Sequence, residues 1–148
     1  MCLVGCSQGG DWTKAREVYC DAVGTQHHLI EGRFGSTLAV AAAVSKHESF
    51  EDVATAVRRF STCELIYAEL EGTRLAMRAF EDGARGLIEG RAGDGFAELD
   101  LRFDPLTARL AIMEACRAGD RAQTEKLVGA LRETSLQRIQ QSIDACNR

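Results

Sequence analysis

The stretch "MEACRAGDRAQTEKL", residues 113–127, decides the fold. A helical run ends in Arg117-Ala118-Gly119-Asp120, and a second helical run starts at once. Glycine adopts the left-handed backbone that closes a helix without a Cβ penalty. Aspartate then accepts a hydrogen bond from an orphan N–H in the first turn of the next helix. A link this short makes the two helices antiparallel neighbours. The same four residues stand at 91–94, predicting a second hairpin, and Asp104-Pro105 adds another start signal, a cap followed by proline at the first helical position. Helices are therefore expected over 95–103, 105–117 and 121–146.

Upstream, the same rules predict a helix from Trp12 to Phe34, capped by Asp11, with Tyr19, Val23, Gln26 and Ile30 near one face. Gly35 closes it and Ser36 caps a short alanine-rich helix from Thr37 to Lys46. Ser49 with Asp52 forms a capping box. It opens the longest periodic run, whose expected apolar stripe is Val53, Val57, Phe60, Cys63, Tyr67, Leu70, Met77 and Phe80, with a bend at Gly72. Period-2 alternation is nearly absent, so the fold class is all-α: a compact bundle of five or six helices. The hairpins resemble units of tetratricopeptide-type repeats, but they recur at about 26 residues instead of 34 and lack a third copy, which argues against a solenoid.

The 148 residues suit one domain, and 45% hydrophobic against 27% charged residues supports a packed core. The expected division is a signal-peptide remnant and flexible tether over 1–10 and a single helical domain over 11–148. A net charge of −4 gives no basic footprint for nucleic acid. Apolar runs such as "STLAVAAAVS" reach about ten residues, short of the roughly 20 that span a bilayer.

Six cysteines are many for this length, and none forms a C-x-x-C pair. Their even number and wide spacing fit an oxidising compartment. Cys116 lies at the hairpin turn and Cys146 about 26 residues beyond it, roughly 40 Å away along a straight helix. The Cα atoms of a disulfide approach within about 7 Å, so these two cannot pair. Full pairing of the body cysteines leaves two options: Cys20 with Cys116 and Cys63 with Cys146, or Cys20 with Cys146 and Cys63 with Cys116.

Leu3-Val4-Gly5-Cys6 resembles the lipobox of bacterial lipoproteins, with small side chains before the cut and a cysteine whose thiol takes the lipid. Ser7-Gln8-Gly9-Gly10 reads as the flexible tether that follows. The resemblance implies lipidation at Cys6 and a periplasmic domain held at the membrane by its lipid alone. It also implies an in-frame upstream segment with basic residues and an apolar run, since only four residues precede the glycine of the pattern. An accidental match would leave the chain cytoplasmic.

Catalytic signatures are missing: there is no G-x-S-x-G elbow, phosphate-cradling glycine loop or H-E-x-x-H. His27 and His28 point about 100° apart on a helix and read as a solvated helix end; His47 reads as a loop residue. Glu98, Asp100 and Asp104 are the densest acidic group, with Asp100 and Asp104 on one helix face as weak metal candidates. The arginines of the central run read as its wet face. No cofactor is expected.

"LIEGRF" at 29–34 and "AAAVSK" at 41–46 resemble the DNA-binding segment of GntR-type transcription regulators. "GDGFAELDLRFD" at 93–104 and "AIMEACRAGDRAQTEKL" at 111–127 resemble parts of their helical effector domain. That family binds a metal through one aspartate and three histidines. Asp100 matches the aspartate, but Asp104 stands where one histidine belongs, Arg109 or its neighbour where the second belongs, and the third is absent from the final helix. The wing and a long middle part of the effector domain are also missing. The expected function is therefore non-enzymatic: an exported lipoprotein domain that binds a protein partner, as an envelope-assembly accessory or in an inhibitor or immunity role. The alternative is a cytoplasmic, ligand-responsive regulator.

Overall fold

Gly119 has φ of 71°, the one positive-φ residue among those described. The helix it closes, α3 (Leu106–Arg117), and the one that follows, α4 (Arg121–Cys146), are the hairpin read from the sequence. The Gly119 N–H reaches the Cys116 carbonyl at 2.9 Å and the Asp120 N–H reaches the Ala115 carbonyl at 3.0 Å. These are the paired bonds of a Schellman stop. Asp120 turns round at once: its Oδ1 accepts from the Gln123 N–H at 3.0 Å and caps α4. One residue thus ends one helix and starts the next.

The computed structural model describes residues 3–44, 53–88 and 106–147. Two long helices precede the hairpin, α1 (Leu3–Ala41) and α2 (Val53–Ile88). The expected helix over 95–103, the turn at 91–94 and the capping box at Ser49 lie outside the described residues. Among the described residues there are four helices where five or six were expected, and part of that difference is a correction. Gly35 and Ser36 do not divide α1. Both are exposed, while the buried stripe Tyr19, Val23, Gln26, Ile30, Phe34 continues in register through Thr37, Ala41 and Val44. Burial of that stripe outweighs the roughly 1 kcal/mol that a helical glycine costs. The helix also takes in Ser7-Gln8-Gly9-Gly10, read from the sequence as a tether.

α1 packs on α2 and α4, and α3 packs on the same two helices, giving a square in which sequence neighbours are spatial neighbours. Arg16 of α1 reaches the Cys146 carbonyl at 3.3 Å, and Arg121 at the start of α4 reaches the Ala42 carbonyl at 3.3 Å. These helices are therefore antiparallel, and each has C-terminal carbonyls met by an arginine of the other. Gln26 donates to the Ala76 carbonyl at 3.3 Å, and Tyr19 stacks on Phe80 with centroids 5.9 Å apart, so α1 and α2 also run oppositely. The result is an up-down-up-down bundle.

The buried stripe of α2 is Arg59, Cys63, Ile66, Leu70, Thr73 and Met77, with Phe80 partly buried. This alternation of four and three residues is the coiled-coil period. It corrects the expected stripe, because Val57, Phe60 and Tyr67 are exposed, Phe60 by 67%. Arg59, expected on the wet face with the other arginines of the run, is buried, and Ile66 and Thr73 join the stripe beside it. Four buried hydroxyls bond within their own helices: Thr37 donates to the Arg33 carbonyl, Thr73 to Glu69, Thr124 to Asp120 and Ser135 to Leu131, at 2.7–3.0 Å. α2 runs unbroken through Gly72, where a Cβ would sit 3.0 Å from Arg33 Nη1. The glycine serves a crossing guanidinium, not a bend.

Candidate functional site

Two disulfides brace the square. Cys20 of α1 joins Cys146 at the end of α4, with Cα atoms 5.7 Å apart. Cys63 of α2 joins Cys116 in the last turn of α3, at 5.8 Å. Of the two pairings left open by the sequence, this is the one formed. The antiparallel packing explains why: Cys116 lies beside the hairpin, and Cys146 lies at the far end, facing the early turns of α1. The bonds stand roughly 30 Å apart along the bundle, the rise of the twenty or so residues of α1 between Cys20 and Ala42. Cys63 and Cys116 are buried; Cys20 and Cys146 are half-buried.

Between these braces, α2 and α3 meet through Glu71. Its carboxylate accepts from Arg74 Nε at 3.1 and 3.2 Å, one turn along α2, and from Arg109 Nη1 of α3. The Arg109 guanidinium also lies 5.5 Å from the centroid of the Tyr67 ring, within cation–π range. Hydrogen bonding and charge from Arg74, with Arg109 behind it, hold the Glu71 carboxyl below the usual carboxylate range. The Glu71–Arg74 pair was readable from its spacing of three residues; its Arg109 partner needed the tertiary fold.

Exposed apolar side chains on these two helices are Val57, Phe60, Leu65, Tyr67 and Leu75 of α2 and Leu110 of α3, each at least 44% exposed, and α1 adds Val18 and Leu29. By their spacing along α2, Val57, Phe60, Tyr67 and Leu75 fall on one side of that helix, whereas Leu65 is turned away from them. Burial pushes the Tyr19 phenol up, with the Ser142 hydroxyl of α4 pulling the other way.

His27 and His28 do not lie at a helix end, because α1 continues past them to Ala41. Their rings meet edge to face with centroids 6.0 Å apart, and Glu31 stands beside both. Asp100, Asp104, Glu98, His47 and Cys2 lie outside the described residues. Cys6 falls in the first turns of α1. No helix among the described residues is long and apolar enough to cross a membrane. No family model, curated protein or solved structure matches this chain.

Proposed function

We propose that this chain is an exported, lipid-anchored helical domain that acts by binding a protein partner in the cell envelope. The observation that carries the reading is the pair of disulfides, Cys20–Cys146 and Cys63–Cys116. Cross-links of this kind persist in non-reducing, extracytoplasmic surroundings and are rare where glutathione and thioredoxin keep thiols reduced. The lipobox-like Leu3-Val4-Gly5-Cys6 supplies the anchor, with Cys6 as the acylated residue. The exposed apolar side chains along one side of α2, Val57, Phe60, Tyr67 and Leu75, supply the contact surface. An assembly accessory and an inhibitor or immunity protein both use such a surface, since neither needs a catalytic constellation.

The test is expression of the gene with its native upstream sequence, followed by fractionation and mass analysis of the N-terminal peptide. The expected result is a membrane-associated protein whose chain begins at lipid-modified Cys6. Cys6→Ser should release it from the membrane with both disulfides intact. An unprocessed Met1 terminus in the cytoplasm, with Cys20, Cys63, Cys116 and Cys146 all reduced, would overturn the reading. Salt-sensitive DNA binding in that state would favour the regulator. Partner contact is tested in intact cells with a photo-crosslinking side chain in place of Tyr67. A discrete adduct lost on Phe60→Ser supports the surface, and no adduct at all refutes it.

A further inference from the structure

We infer that His27, His28 and Glu31 form a binding site for an imidazole-preferring divalent transition metal, of which zinc is the probe. Adjacent histidines on a helix diverge by about 100° and by themselves make a poor chelate. Glu31 changes that, being four residues from His27 and three from His28, the two spacings that share a helix face. The donor atoms of all three side chains lie within 4.8 Å of one another. His27 Nδ1 stands 3.9 Å from Glu31 Oε2. That is too far for a hydrogen bond, yet close to the separation of about 3.4 Å set by two bonds of 2.0–2.2 Å to one tetrahedral ion. Small side-chain rotations on an exposed face close the difference.

The other carboxylate oxygen is already engaged. Arg132 of α4 donates to Glu31 Oε1 at 3.1 Å, a link between α1 and α4 that fixes the carboxylate and leaves Oε2 turned toward His27. Outer partners of this kind orient metal ligands in established sites. Two imidazoles and one carboxylate suit zinc, copper or nickel and not the hard cations magnesium and calcium, which prefer oxygen ligands. Glu31 and His28 are exposed, so the site has three protein donors and leaves its remaining positions to water.

The test is a zinc titration of the oxidised full chain with Cys2 and Cys6 alkylated, followed by calorimetry and by the imidazole nitrogen resonances of the three histidines. One equivalent should bind, moving the His27 and His28 resonances and leaving His47 in place. His28→Ala and Glu31→Gln should each weaken binding about tenfold or more, the scale on which even outer-shell partners matter. Both positions are exposed, and unchanged circular dichroism would show that the variants keep the fold. Absence of zinc binding, affinity in either variant equal to that of the unaltered chain, or magnesium binding as tight as zinc would each overturn the assignment.

Discussion

Removal of the Cys20–Cys146 bond is the sharpest perturbation of this bundle. In the chain-entropy treatment a cross-link lowers the entropy of the unfolded chain by about 2.1 + 1.5R ln n cal/mol/K. With a sequence separation of 126 this comes to about 5 kcal/mol at 25 °C. The Cys63–Cys116 bond, with a separation of 53, gives about 4 kcal/mol. Loop length alone therefore makes Cys20→Ala/Cys146→Ala the costlier pair by about 0.8 kcal/mol. Local packing predicts the reverse order. Cys63 and Cys116 are 2% and 0% exposed, so truncation to alanine there also leaves a void, whereas Cys20 and Cys146 are half-buried. Urea denaturation of the oxidised chain and the two paired variants separates these terms. With a slope of about 2 kcal/mol/M, the expected midpoints fall by roughly 2 M. A loss below about 1 kcal/mol in both pairs would refute the view that these bonds carry a large share of the stability. A larger loss in the Cys63/Cys116 pair would show that burial, not loop closure, sets the order.

Two further outcomes follow from the turn and the Glu71 junction. Gly119→Ala forces a Cβ into the left-handed region and should cost about 1–2 kcal/mol in the same urea assay, whereas Gly35→Ala, at an exposed position inside α1, should be neutral or stabilising. The Glu71 carboxyl is held below its unfolded value, so its contribution to stability is complete above the ordinary carboxylate range and is lost as pH falls through its depressed value. Glu71→Gln should therefore flatten the acid limb of stability against pH, measured by urea midpoints between neutral pH and pH 3; an unaltered acid limb would remove Glu71 from that role.

The junction at Glu71 and the cluster at His27 show where sequence reasoning stops. Glu71 and Arg74 announce themselves by spacing, but Arg109 lies 38 positions away and meets them only because α3 turns back along α2. His27 and His28 look divergent until Glu31 is seen held by Arg132 from another helix, 101 positions along the chain. The apolar surface was hidden for a related reason. Phe60 and Tyr67 have the composition of core residues, and only the burial of Arg59, Cys63 and Ile66 against the other helices turned them outward.

By itself the sequence determined the helical class, the stop and start at Gly119-Asp120 and the narrowing of the body cysteines to two pairings. Each of these depends on chemistry within a few residues: a backbone angle, a capping oxygen, the rise of a helix per residue. Tertiary structure decided that α1 runs through Gly35, which stripe of α2 is buried, and that Cys20 meets Cys146. The physical reason is that continuing a helix or burying a face draws its free energy from the surface of another helix, and that surface is not written in the local stretch it stabilises.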